Sequence, residues 1–321
     1  MIILKRCYSN AGIASKQIIA LFGAGLVGRS IVAYASNVLG FEQRQFSFDW
    51  KHSSQRAHDA LAIERYILNE GREFNAALIR IDVIWSAGKA GFNSQLVDLE
   101  PELAAYTDVL KLSARLYSQL PEVRHAFHLL SSAGGIFEGQ RNVDQMSVPH
   151  PRRAYGVAKI RQEVHLSQHL PFVTRQIYRP SSIYGFAGTG VRLGLVNALV
   201  HNAHQARVSR IFGEPSTIRD YVFVSDIGRF VAERCVTPLG ESSVFFLASG
   251  KPSSMFEMLS KIEHALGRRL YLQFDPNPSN ASHISFAQSV LPVGWLPTDL
   301  NVGIRQTARQ LMSSFAQPAR T

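Results

Sequence analysis

Tyr155-Gly156-Val157-Ala158-Lys159 sets a phenol and an ammonium four residues apart, which on a helix puts both on one face. A phenol ordinarily titrates at about pH 10 and is a poor base at neutral pH. A neighbouring ammonium favours its ionised form, so such a pair suits proton transfer to or from a carbinol. The spacing alone is common, and a surface pair is the plain alternative. Val157, Ile160 and Val164 fall on a different stripe of the same helix, expected to face the core.

Gly23-Ala24-Gly25-Leu26-Val27-Gly28 follows an apolar run at 18–22 and opens a helical stretch. Glycines there permit a tight turn, close approach of a pyrophosphate and close helix–strand packing, and the helix N-terminus favours the phosphate charge. Asp49 ends the next expected strand, 21 positions after Gly28. That is near the spacing of a carboxylate that accepts from an adenosine ribose, so NAD is expected in preference to NADP. Lys51 and His52 follow it and soften that preference. The alternatives are an ordinary strand–helix turn and a solvated strand end. A third set, Ser131-Ser132-Ala133-Gly134-Gly135, follows the strand expected at 125–130. Strand C-termini are where α/β sheets hold ligands, and a hydroxyl there can bind the reacting oxygen. A turn rich in small residues is the alternative.

These groups need a scaffold. Strands are expected over 18–22, 45–48, 78–85, 126–131 and 172–178, and helices over 25–36, 57–68, 103–120 and 154–169. The alternation predicts an α/β fold, a doubly wound parallel sheet with helices on both faces. Past Tyr184 the elements are shorter and richer in Gly and Pro. That pattern predicts a smaller C-terminal substrate-binding lobe over 186–321, with segments returning to the sheet. The cofactor-binding domain would run over 17–185, with 1–16 a loose leader. Lys5, Arg6 and Lys16 without an early acid leave a mitochondrial presequence as a minor alternative.

Composition narrows the function classes. The chain has 321 residues, 46% of them apolar, which excludes global disorder. Its two cysteines, Cys7 and Cys235, exclude a disulfide framework and a cysteine-rich metal site. His201 and His204 lack an apparent third ligand, so no metal is expected. No apolar run spans a bilayer, so a cytoplasmic protein without membrane insertion is expected. The net charge of +10 is spread along the chain without a run of five or an aromatic–basic signature, so no nucleic acid is expected as partner.

In this order the motifs resemble the extended short-chain dehydrogenase/reductases, the NAD-dependent epimerase/dehydratase family, over nearly the whole chain from Gln17. Trp85-Ser86-Ala87-Gly88 is similar to its strand end beside the cofactor. Arg179-Pro180-Ser181-Ser182-Ile183-Tyr184-Gly185 resembles its RPxNxYG segment. The stretch from Arg219-Asp220-Tyr221-Val222 to Asp226 resembles its RDFVYVDD element. Gly294-Trp295-Leu296-Pro297, with Leu300 and Gly303, resembles its closing GWxPxxxLxxG. The resemblance implies a Rossmann-type fold and catalysis by Ser132, Tyr155 and Lys159. It implies cofactor binding by Gly23, Gly25, Leu26, Val27, Gly28, Asp49, Ala87, Gly88, Tyr155 and Lys159. Substrate contacts fall to Ser131, Ser182 and Arg219, the last holding a diphosphate.

Four departures stand out. The family's first loop glycine falls on Phe22, its active-site helix asparagine on Asp108 and its substrate-loop asparagine on Ser182. No Asp-hydrophobic pair for adenine is evident. Ser132-Ala133-Gly134 lacks the acids of the dehydratases, and neither cysteine lies near the motifs, as a 3,5-epimerase would need. A nucleotide-diphosphate-sugar epimerase, at C4, is therefore expected. A 4-ketoreductase with the same residues is the first alternative. A silent binding or regulatory protein is the second, against which the intact Ser132, Tyr155 and Lys159 argue. The resemblance also implies a role in polysaccharide synthesis. Apolar excess on 103–120 and on the Tyr155 helix predicts a homodimer.

Overall fold

A computed structural model describes residues 1–10, 13–72, 79–88, 94–190, 194–275 and 282–316. Its first half runs β1 (Ile2–Asn10), β2 (Ile13–Phe22), α1 (Leu26–Asn37), β3 (Glu42–Gln45), α2 (Ser53–Arg72), β4 (Ile79–Trp85), α3 (Leu96–Gln119) and β5 (Arg124–Leu130). A short α4 (Ala133–Ile136) precedes α5 (Ala154–His169), β6 (Thr174–Pro180) and β7 (Ser182–Tyr184). Then come α6 (Leu195–His204), β8 (Ser209–Phe212), β9 (Ile218–Arg219), β10 (Tyr221–Phe223), α7 (Val224–Val236) and β11 (Ser243–Leu247). The chain closes with β12 (Ser253–Ser254), α8 (Met255–Leu266), β13 (Leu272–Asp275) and α9 (Leu300–Ala316).

Seven strands form one sheet in the order β11-β6-β5-β4-β2-β1-β3. The β2, β4, β5, β6 and β11 strands run parallel, and β4 is buried along its whole length. Burial on both faces is what a parallel sheet clad by helices requires. Ile81, Val83 and Trp85 share one core with Tyr106 and Phe127. Ile84 lies in the other, with Ile31, Tyr178 and Phe230. The α1 and α7 helices pack tightly there because Gly228 leaves room for Ser30, against which any Cβ would collide. Residues of α6, α8 and α9 build a separate lobe core that includes Leu199, Met258, Ile262 and Ile304. The expected α/β sheet is thus present, with β11 at one edge of it and α7 packed on α1.

The described residues of the stretch expected to be a loose leader are strands: 2–10 form β1 and 13–16 the start of β2, and β1 pairs antiparallel with both β2 and β3. The physical reason lies in Ile2, Ile3 and Leu4, all buried; each such side chain contributes about 1.5–3 kcal/mol when fully covered. The cations that suggested a leader are paired instead. Lys5 and Lys16 both reach Glu70 of α2, at 3.0 and 2.8 Å, and Arg6 donates to Gln17 and to the Leu39 carbonyl. Pairing with β1 also moves β3 to 42–45, earlier than the 45–48 expected. Leu78, expected to open β4, lies outside the described residues.

The apolar edges expected to drive self-association are also used within the chain. Tyr106, Val109, Leu110, Leu112 and Leu116 of α3 are fully buried in the monomer. The stripe expected on α5 holds only in part: Ile160 packs, partly buried, against the Phe137 and Phe286 cluster. The buried residues of the helix are Gly156, Lys159, Gln162, Glu163 and Leu166, whereas Val164 is exposed. Among the described residues no helix is long and apolar enough to cross a membrane.

The Glu70 site yields a stability test. Burial alone would push the Glu70 carboxyl up, but hydrogen bonds from Lys16 and Lys5 outweigh it and hold the group at about 2, below its ordinary 4.5. A folded pKa below the unfolded one stabilises the fold above the unfolded value, and that contribution is lost as pH falls through the folded value. Glu70→Gln should therefore cost about 1–3 kcal/mol in urea unfolding at pH 7, since the hydrogen bonds from Lys5 and Lys16 lose their charged acceptor. The difference from wild type should shrink between pH 4.5 and pH 2. An equal cost at both ends of that range would show that the pairing does not anchor β1.

Candidate active site

The C-terminal ends of β2 and β4 open onto a cavity of about 560 Å³ whose wall includes Gly23, Gly25, Ser86, Ala87, Gly88 and Glu102. Gly23 has φ +104°, and a Cβ there would collide with the Ala87 backbone. A Cβ on Gly28 would overlap the Gly23 carbonyl oxygen, so the loop closes only on glycine. Ser86 Oγ donates to that carbonyl at 2.6 Å. Gly25 differs: nothing lies within 4 Å of its Cβ position. The α1 N-terminus, with Leu26 and Val27 in its first turn, has neither a side-chain cap nor an acid. Its N–H groups and positive dipole end can therefore meet an anion. This cradle fits a dinucleotide pyrophosphate. Arg29 ties the loop to the segment after β7, donating to the Ala24 carbonyl at 3.1 Å and the Thr189 carbonyl at 2.5 Å.

Asp49 does not line this cavity. One carboxylate oxygen accepts from the Lys51 and His52 backbones and the other meets the His52 ring, closing the turn into α2. These bonds, led by the one from the His52 backbone, hold its carboxyl well below the usual range. Trp50 and Lys51 stand in the wall instead. The carboxylate expected to meet the ribose is here engaged in local turn closure through both oxygens.

The reacting groups gather at the end of β5. Ser132 caps α4, its Oγ accepting from the Gly135 backbone at 3.1 Å. The Tyr155 ring lies 2.8 Å from the Cβ position of the same Gly135. A Cβ on Gly156 would overlap the Gly135 carbonyl oxygen, so two glycines let α5 approach this loop. Lys159 is buried, with Nζ donating to the Leu130 carbonyl at 3.1 Å and to Gln162 Oε1 at 3.0 Å. Its Nζ stands 5.9 Å from the Tyr155 ring centre. Ser132, Tyr155 and Lys159 are thereby brought together, beside the cofactor cavity.

Ser131, expected to contact substrate, has its hydroxyl proton engaged within the fold. It is buried and its Oγ donates to Glu163 at 2.5 Å, while Glu163 also binds Arg179 at 2.6 Å. Asp108 is likewise drawn away, to Arg56 of α2 at 2.8 Å. Ser182 opens β7, half-buried, opposite Tyr221. Arg219 is half-buried on β9; burial lowers its pKa, and the charges of Glu138 and Arg153 both reach it. Glu138 and Arg153 pair at 3.0 Å. Glu138, Gln162 and Glu163 were not anticipated. A signal existed for the last two, since they follow Lys159 by three and four residues and so share its helix face.

A second buried cluster comes from three separate elements. Asp82, His128 and Cys235 place ligand atoms within 4.8 Å of one another. His128 bridges Asp82 at 2.8 Å and Tyr178 at 2.9 Å, and burial pushes its pKa down. The Arg80 guanidinium already holds Asp82 at 2.8 Å, and the charge of Arg234 acts there too. Two guanidiniums oppose a dication, so the cluster reads as a hydrogen-bond network. His201 and His204 pack on Phe315.

Residues 19–234 match the NAD dependent epimerase/dehydratase family. The chain belongs to that family. It is 27% identical over 206 residues to the UDP-glucose 4-epimerase of Mycolicibacterium smegmatis, a match spanning 59% of this chain and 63% of that relative. Two solved structures share the fold over 92% of this chain. The UDP-glucose 4-epimerase of Thermus thermophilus in complex with NAD is 18% identical, with TM-score 0.72 and 99% of its own length covered. That of Bifidobacterium longum with NAD+ and UDP is 16% identical, with TM-score 0.73 and 98% covered. NAD is the cofactor of the family, and the Gly23–Gly28 cradle fits it. Two family motifs also meet directly: Gly303 packs so closely on the buried Tyr184 hydroxyl that no Cβ fits.

Gly25 offers a clean test of the cradle. Gly25→Ala should leave the thermal midpoint within about 2 °C, since a methyl group there costs no contact. It should weaken NAD binding by at least about tenfold, equivalent to about 1.4 kcal/mol. Calorimetric titration alongside thermal unfolding reads both. Unchanged NAD affinity would mean the pyrophosphate lies elsewhere.

Proposed function

We propose that the protein is an NAD-dependent nucleotide-sugar epimerase acting at C4. The observation that carries this reading is the meeting of Ser132, Tyr155 and Lys159 beside the cofactor cavity, in a chain of this family. The chemistry NAD supplies when bound is reversible hydride acceptance. The protein's part is to move one proton and hold one oxygen. Tyr155 Oη takes the proton of the C4 hydroxyl and later returns it. Ser132 Oγ holds that oxygen. The Lys159 ammonium favours the phenolate and meets the nicotinamide ribose. Inversion requires the 4-keto sugar to turn over, and Arg219 anchors the diphosphate through charge-assisted bonds while it does. Cytoplasmic residence and supply of sugars to polysaccharide synthesis belong to the same reading.

One observation favours a second reading. Lys51 in the cavity wall, where Asp49 is absent, is a cation suited to a 2′-phosphate. That supports a 4-ketoreductase with a dissociating cofactor, and one fold neighbour, RMD from Pseudomonas aeruginosa, is described as complexed with NADPH. Absorbance of the purified protein separates the two: an epimerase retains NAD, whereas a reductase emerges stripped and oxidises added NAD(P)H.

Tyr155→Phe tests the shared chemistry. General acid–base catalysis is worth about 10²–10⁴-fold, so turnover of UDP-, GDP- or dTDP-sugars should fall at least about a hundredfold. NAD affinity should change little, whereas Lys159→Met should lower turnover and weaken NAD binding to a still measurable level. Near wild-type turnover by Tyr155→Phe would end this assignment.

A homodimer through α3 and α5 is also part of the proposal. The strip left exposed there, with Ala104, Lys111, Arg161 and Val164, is mixed rather than apolar. Charges exposed at such a contact are screened by salt. Lys111 and Arg161 are cations that repel their copies across a two-fold contact, so sedimentation should approach twice 35.7 kDa more fully at high salt than at low salt. A monomer under both conditions would remove the dimer from the reading.

A further inference from the structure

Lys159 is held by a chain of side chains that reaches the cofactor cavity from behind. Its Nζ donates to the Leu130 carbonyl at 3.1 Å and to Gln162 Oε1 at 3.0 Å. Gln162 is itself buried, and its Nε2 donates to Glu102 Oε1 at 3.2 Å. Glu102, on α3, stands in the cavity wall beside Gly88. An ammonium has three N–H donors. These two acceptors fix two of them and orient the third. A lysine side chain is among the most costly to order, so fixing it on folding removes that cost from ligand binding.

Asp108, where the resemblance sets an active-site asparagine, turns away to Arg56. The polar side chain from α3 that approaches Lys159 is Glu102, a turn and a half earlier, acting through Gln162. We propose that Gln162, backed by Glu102, is a positioning residue that holds the Lys159 ammonium ready for the nicotinamide ribose and for Tyr155. The proposal rests on the catalytic assignment of Lys159 above. It differs in what it says of Gln162: a residue outside the recognised motifs that acts only through the lysine.

A double-mutant cycle tests it, read by calorimetric NAD binding and by turnover. Gln162→Leu should weaken NAD binding about tenfold, as loss of a hydrogen bond to a charged group does. It should lower kcat with little change in KM for the sugar nucleotide. In a Lys159→Met background the same change should have no further effect, because its partner is gone. A merely structural role would give the same loss in both backgrounds.

An exchange of the two acceptors guards against misfolding of Gln162→Leu. Gln162→Glu alone sets two carboxylates against each other and should impair NAD binding. Adding Glu102→Gln rebuilds both bonds with their roles reversed and should restore affinity to within about threefold. Losses that multiply in the double variant, or an exchange as poor as Gln162→Glu alone, overturn the proposal. The NAD-binding readout does not depend on Tyr155, so turnover surviving Tyr155→Phe would sink the catalytic assignment separately.

Discussion

Gly156 passes so close to the Gly135 carbonyl that no side chain fits between them, and the active site depends on that approach. Gly135 belongs to the loop that Ser132 caps, and Gly156 to the helix that carries Tyr155 and Lys159. A methyl group on either glycine would drive loop and helix apart. The Tyr155 ring would then leave the Ser132 loop, and Lys159 would leave the Leu130 carbonyl. Proton transfer tolerates little of this, because geometry must hold to a fraction of an ångström. The Gly-rich turn follows the same logic, with Gly28 against Gly23. Both halves of the site are set by how near two backbones can come.

The buried face of α5 shows the consequence. It is polar, with Lys159, Gln162 and Glu163 directed inward and each given partners. Buried polar groups without partners are costly, so such a face is stable only because the bonds are complete. Glu163 joins the helix to Ser131 at the end of β5 and Arg179 on β6, and Gln162 joins it to α3. The scaffold that positions the chemistry is itself a hydrogen-bond network. Asp82, His128 and Tyr178 form a comparable network deeper in the sheet.

The edge of the sheet reflects a different balance. Insertion of β1 between β2 and β3 gives the chain from Glu42 to Gln45 an antiparallel neighbour. The strand then leaves the ladder, and Phe48 returns to pack against Phe22 at 4.9 Å. Asp49 follows into a tight turn that its own carboxylate closes. The Trp50 and Lys51 side chains reach the cavity in its place.

The parallel sheet, the glycine turn and the spacing of Ser132, Tyr155 and Lys159 were legible in the sequence. Each is written in local spacing: an apolar run before a glycine turn, or two side chains one helical turn apart. What lay beyond reading was decided by partners distant in the chain. Lys5 and Lys16 look like a basic leader until Glu70, more than fifty residues on, neutralises them. Ser131 looks like a ligand hydroxyl until Glu163 claims it. Val157, Ile160 and Val164 look like the core stripe of α5 because periodicity counts apolar residues, yet Val164 is exposed while Lys159, Gln162 and Glu163 are buried. Asp49 stands at the right spacing, yet a spacing does not say which way a carboxylate turns. Local pattern determines which groups are present and in what order, because backbone geometry is periodic. Only tertiary packing decides which of them remain available to a ligand, because every buried donor and acceptor must first find its partner.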